Sequence, residues 1–117
     1  PLAHTHTEAE HLLRRARGEG WTTIILVAIP VHQLRALMDT VGVMIRENLD
    51  RTIRVWNAVG TPQPWTDEVV HSQGVLRARR FELVKPELER IVRYWAKGNM
   101  PTARQVLDYL NWRDGLS

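Results

Sequence analysis

Apolar and polar positions alternate in two different rhythms along the first sixty residues. Ala9, Leu12, Leu13 and Ala16 recur with the spacing of one helical face. Thr7, followed three residues later by Glu10, reads as a capping box with Thr7 as N-cap. Gly18 and Gly20 then permit the left-handed conformation that ends a helix. Thr22 to Ala28 is rich in β-branched residues and apolar on both faces, the pattern of a buried parallel strand. Pro30 closes that strand. Leu34, Leu37, Met38, Val41 and Ile45 mark a second helical face, and Asn48 to Arg51 form a polar turn. Thr52 to Val59 alternates, with Ile53 and Val55 on one face and Arg54 and Trp56 on the other, as in a shorter strand nearer a sheet edge. Helix, strand, helix, strand over residues 1–60 predicts parallel crossovers and an α/β domain.

The second half changes character. Gly60 to Trp65 reads as a stiff loop. Thr66 is placed to cap a helix whose first turn carries Asp67 and Glu68, where the helix dipole favours negative charge. Pro86 interrupts it. Leu88, Ile91, Val92 and Trp95 form a new stripe that Gly98 and Asn99 end, and Pro101 suits the start of a last helix carrying Val106, Leu107 and Leu110. Residues 66–113 are thus expected to be helical. Two parallel strands do not make a stable sheet alone. The strand over Thr22 to Ala28 therefore calls for a neighbour on its far side, from self-association or from a missing N-terminal half. The chain opens on Pro1 and enters a helix signal almost at once, which also points to a preceding portion.

Length and composition narrow the classes. At 117 residues the chain holds at most one domain with a modest core. It has no cysteine, hence no disulfide framework, thiolate nucleophile or zinc–thiolate site. The longest apolar run, Ile24 to Val31, is too short to span a bilayer and contains Pro30. No basic-then-apolar leader is visible, so a cytoplasmic location is expected, with no membrane partner in this segment. The net charge of +3 is a small excess, and most basic residues alternate with acidic ones at helical spacing. The one dense patch, Arg77, Arg79 and Arg80, reads as surface chemistry, so no nucleic-acid partner is expected.

Candidate chemistry gathers where parallel sheets bind ligands, beyond the carboxyl ends of their strands. Two segments belong there: His4 to Glu8, and Pro30 to Arg35. Both run into helix N-termini, where backbone N–H groups and the dipole favour an anion. Arg35 lies one turn into its helix, with a fork suited to a bidentate anion contact, and His32 can donate, accept or shuttle a proton near neutrality. The candidate ligand-binding set is therefore Thr5, Thr7, Glu8, His32 and Arg35, with His32 as the candidate catalytic group. Each has a structural counterpart: Thr5, Thr7 and Glu8 as a helix cap, Arg35 as the partner of Asp39 one turn on, and His32 as the residue that orders its turn. His71 with Ser72 is a weaker candidate at a mid-helix position. His4 and His6 have the spacing of a metal pair but no clear third ligand, so no metal is expected. No nucleophile elbow, Walker loop, GxGxxG or His-Glu-x-x-His pattern occurs.

The sequence Thr5-His6-Thr7-Glu8-Ala9, a helix, Gly20-Trp21, an apolar strand and then His32-Gln33-Leu34-Arg35-Ala36 resembles the C-terminal half of the SanA/ElyC/YdcF family of bacterial α/β proteins. In that family a threonine-rich turn leads into an acidic or amide residue and alanine, and a later strand ends in a His-x-x-Arg-Ala turn. The likeness covers roughly residues 3–60. It implies a Rossmann-like three-layer α/β/α domain with a parallel sheet, preceded by a glycine-containing strand and turn. It also implies a small anionic ligand: a phosphorylated or nucleotide-like molecule at the strand–helix turns, or S-adenosylmethionine, which one member is reported to bind. Some members are linked to the cell envelope; this chain departs from those by showing no membrane anchor. The rival functions are a non-catalytic S-adenosylmethionine- or nucleotide-binding module and an interaction protein whose helical second half is the contact surface.

Overall fold

The computed structural model describes residues 5–58, 68–70, 77–98 and 100–116. The chain begins with a helix, α1 (Thr5–Glu19), and a strand, β1 (Thr23–Val27). A single 3-10 turn, Pro30–His32, then feeds a second helix, α2 (Gln33–Arg46), and a second strand, β2 (Arg54–Ala58). A short hairpin of β3 (Glu68–Val70) and β4 (Arg77–Arg79) follows. A further 3-10 turn, Arg80–Leu83, leads into α3 (Val84–Ala96), and α4 (Ala103–Arg113) closes the chain.

β1 and β2 pair in parallel, Thr23 opposite Arg54 through Val27 opposite Ala58. This is the expected β–α–β crossover through α2. The structure is mixed α/β, mostly helical, with a small two-stranded parallel sheet; β3 and β4 form a separate antiparallel pair. No described helix is long and apolar enough to cross a membrane.

The core lies on one face of the parallel sheet. Ile24 and Val55, adjacent in the ladder, meet Ala9, Leu13 and Ala16 of α1, Leu37, Val41 and Met44 of α2, and Val106 and Tyr109 of α4. Burying apolar surface contributes about 25 cal/mol per Å², so this shared layer holds three helices on the sheet. Ile53, just before β2, is also buried. The expected division of Ile53 and Val55 from Arg54 and Trp56 is therefore observed.

The opposite face differs from expectation. Ile25 and Val27 are 63% and 72% exposed, and Trp56 is 40% exposed. The run Thr22 to Ala28 was expected to be buried on both faces, but among the described residues helices cover only one. Edges differ as well. The outer edge of β2 is closed by α4: the Tyr109 hydroxyl accepts from Val55 N at 2.7 Å and donates to Ile53 O at 2.8 Å, and Arg113 donates to Val55 O at 3.0 Å. Burial raises the Tyr109 phenol above its usual value, which keeps it protonated as a donor. The Arg113 guanidinium also lies over the Trp56 ring at 4.3 Å. Among the described residues, no strand pairs with the outer edge of β1.

Several local expectations are corrected. α1 starts at Thr5, so Thr7 sits inside the first turn rather than at the N-cap. α1 ends at Glu19, and Gly20 takes the left-handed conformation at φ +71°, as its place after the helix requires. The helix expected from Thr66 is not found at Glu68–Val70, which is a strand: its two valines favour extended backbone, and its hydrogen-bond partners lie in Arg77–Arg79. Thr66 and Asp67 lie outside the described residues. Pro86 does not break a helix. It stands in the first turn of α3, where a missing N–H costs nothing. α4 begins after Thr102, not at Pro101. Thr102 and Gln105 form a reciprocal capping box, with bonds of 3.1 and 2.8 Å. Pro101 instead lies against α2, where a Cβ on Gly42 would come within 3.1 Å of its ring. The apolar stripe read on this helix is largely outward on α3: Leu88, Val92 and Trp95 are exposed, while Glu87 is turned inward.

Candidate functional site

The turn after β1 is set by its residues. Pro30 fixes φ at the start of the 3-10 turn, and Val31 anchors it in the interior. Gln33 then ties the turn to the sheet. Its Nε2 donates to Ala28 O at 3.0 Å and to Ala58 O at 2.6 Å, so one side chain joins the carboxyl ends of both parallel strands. Asn57 donates to the Gln33 carbonyl oxygen in turn. His32 stands at the N-cap position of α2, directly beside this clamp.

Arg35, one turn further, is 1% exposed, the most enclosed charged side chain described. Its fork faces α3. Nε donates to Glu87 Oε2 at 2.7 Å and Nη2 to Glu87 Oε1 at 3.1 Å, a bidentate pair between helices 52 residues apart in sequence. Glu87 is 3% exposed and also accepts from Arg90 at 3.3 Å. The same Arg35 Nη2 lies 3.1 Å from His32 Nδ1, which is 3.5 Å from Glu87 Oε1. His32, Arg35, Glu87 and Arg90 thus form one network. The pairing weighed for Arg35 from sequence was Asp39; the fork goes to Glu87 instead.

Asp39 lies beside this network, 2% exposed. Burial pushes its carboxyl up to about 6, against the opposing pull of the Arg35 guanidinium and His32. His6 Nδ1 approaches Asp39 Oδ1 at 3.8 Å and makes no hydrogen bond among the described residues. The next residue, Thr40, donates to Ala36 O within the helix.

A cavity of about 170 Å³ opens beyond the carboxyl end of β1. Leu12, Leu26 and Val27 give it an apolar wall, while Glu8, His32 and Thr40 supply polar groups. This is smaller than the few hundred Å³ of most small-molecule sites, so it fits one portion of a ligand rather than the whole.

Of the residues singled out from sequence, Glu8 and His32 share this cavity, and Arg35 touches His32 from behind. Thr5 opens α1, and half-buried Thr7 follows in its first turn without lining the cavity. His4, His71 and Ser72 lie outside the described residues, as do the side chains of Arg77, Arg79 and Arg80. Among the described residues, no three His, Asp or Glu side chains are grouped to hold a metal ion. Sequence reading missed Glu87, Asp39 as a raised-pKa acid, and Gln33. Gln33 lay within the quoted His-Gln-Leu-Arg motif, so an amide at the second helix start was the available signal.

No protein-family model, no curated protein and no solved structure matches the chain.

Proposed function

We propose that this chain binds a phosphorylated or nucleotide-like small molecule at the cavity beyond β1, as part of a Rossmann-like α/β/α domain whose sheet continues past the open edge of β1. The observation that carries this reading is the cavity itself. It lies at the carboxyl end of a parallel strand, between the first turns of α1 and α2, with His32 on its wall. Helix N-termini favour negative charge, and the apolar wall suits the base or sugar of a nucleotide. Glu8 is a natural acceptor for ribose hydroxyls. Arg35 enters the site through His32, since Glu87 occupies one edge of its fork. In a three-layer domain a second helical layer would cover Ile25 and Val27.

Adenosine diphosphate and S-adenosylmethionine are suitable probes. Titration calorimetry is expected to show binding of one of them, weakened roughly ten- to a hundredfold in His32→Ala, the range for loss of a hydrogen bond to a charged group. Binding at equal strength by wild type and His32→Ala, or no binding of either probe at millimolar concentration, would remove the reading.

A second reading, as an interaction module, is favoured by a separate observation: β1 presents both an open edge and an exposed apolar row, Ile25 and Val27. Such edges pair readily with other strands. Here β1 pairs with β1 of a second copy. Sedimentation at tens of micromolar is expected to show dimers in wild type and monomers in Ile25→Lys. A wild-type chain that stays monomeric and cooperatively folded at that concentration would sink this reading.

A further inference from the structure

We infer that Arg35 and Glu87 are positioning residues that hold the His32 imidazole in a single tautomer, with Nδ1 bare and the ring proton on Nε2. The inference deepens the site proposed above, and its meaning for ligand binding rests on that reading; its geometry does not.

A guanidinium carries only donors. The Nη2 of Arg35, 3.1 Å from His32 Nδ1, therefore donates, and Nδ1 must accept with its lone pair. A neutral imidazole that accepts at one nitrogen carries its proton on the other. Nη2 has two hydrogens, and the geometry uses both: one toward His32 Nδ1 at 3.1 Å, one toward Glu87 Oε1 at 3.1 Å. Glu87 does the aiming. Its second oxygen takes Arg35 Nε at 2.7 Å, which fixes the plane of the fork and thereby the direction of the N–H that meets the imidazole. With Arg35 and Glu87 almost fully buried, this orientation is rigid. Other charged groups also bear on the arrangement. Asp39 lies close enough to feel Arg35, His32 and Glu87, and Arg90 shares the Glu87 oxygen nearest the ring. A proton on Nδ1 would be incompatible with accepting from Arg35; it would face Glu87 Oε1 at 3.5 Å instead.

The consequence is a definite chemical sense. Neutral His32 meets a ligand as a hydrogen-bond donor through Nε2–H, so the matching ligand atom is an acceptor, a phosphoryl or carbonyl oxygen. As a proton-transfer group the neutral ring gives a proton at Nε2 only by first being charged at Nδ1, a step that breaks the Arg35 contact.

The test is long-range ¹H–¹⁵N spectroscopy of the histidine rings in the ligand-free chain at pH 8. His32 is expected to show one pure tautomer, with Nδ1 resonating as a bare ring nitrogen and Nε2 as a protonated one. Replacing the ion pair by Arg35→Met with Glu87→Leu removes the donor together with the carboxylate that aims it, and the ring is expected to return to a mixture of tautomers. A mixed or Nδ1-protonated ring in wild type overturns the inference, as does a pure tautomer that survives the double substitution. If the double variant does not fold, wild type alone decides: nitrogen–nitrogen coupling across the hydrogen bond from Arg35 Nη2 to His32 Nδ1 supports the inference, and its absence at low temperature overturns it. Inorganic phosphate and adenosine diphosphate are then added to the same sample. A pure tautomer without any ligand-induced shift at His32 would sink the proposed function and leave the positioning role standing.

Discussion

Glu87→Ala is expected to destabilise the fold by about 3–5 kcal/mol, the usual cost of breaking a buried ion pair from one side. The loss does not measure the strength of the pair. It arises because Arg35, 1% exposed, keeps its charge with its bidentate partner removed. Arg90 also loses the oxygen it meets at 3.3 Å, but that side chain is 23% exposed, and water compensates it. The contrast is therefore with the double replacement Arg35→Met, Glu87→Leu. Buried pairs often exchange for apolar residues of similar volume at little cost or with a gain. Denaturant unfolding is expected to place the double variant close to wild type and well above Glu87→Ala. A double variant as unstable as the single one would mean that the pair contributes net stability. A single variant within 1 kcal/mol of wild type would mean that Arg35 reaches water when Glu87 is gone.

Asp39→Asn is expected to stabilise the protein above pH 6 and to flatten its stability between about pH 4 and pH 6. The carboxyl titrates at 3.8 in the unfolded chain and at about 6 when folded, because burial penalises the carboxylate more than Arg35 and His32 favour it. In the window between these values the folded state binds more protons than the unfolded state. Stability therefore falls as pH rises through it, and the contribution is fully present only below about pH 4. By linkage the total is of the order of 3 kcal/mol, lost by about pH 7. Asparagine is neutral at every pH and carries no such slope. Thermal unfolding of both proteins from pH 4 to 8 reads the difference. An Asp39→Asn protein that is less stable than wild type at pH 8 would show that the Arg35 charge, not burial, dominates the site.

The order of the first four elements was legible because each is signalled by neighbours in sequence. Period-3.6 spacing in Ala9 to Ala16, a run rich in β-branched residues at Thr23 to Val27 and strict alternation at Ile53 to Trp56 are local patterns with local causes. What failed is non-local. Asp67 and Glu68 resemble the first turn of a helix, but Glu68–Val70 is extended because Arg77–Arg79 supplies its hydrogen bonds, and nothing nearby in sequence announces that partner. Arg35 has an acid one turn away in Asp39, yet its fork reaches Glu87 across 52 residues, since the 3-10 turn before α3 brings that helix against the start of α2. His32 was found as a candidate because it stands where β1 hands over to α2, and Glu8 because the sequence places it at the start of a helix expected to follow a strand. Their surroundings, which decide what they can do, were set by tertiary contacts.

The closed edge of β2 limits how this chain can join others. With Tyr109 and Arg113 occupying the backbone groups beside Ile53 and Val55, the sheet can lengthen in one direction only. Strand addition at β1 between two copies gives four strands with an α4 at each end, and there it stops. The same apolar run in a sheet open on both sides would propagate into a filament. An assembly built through β1 of this chain would be self-terminating, and the two residues that would make it so lie in the last helix, more than fifty positions after the strand they protect.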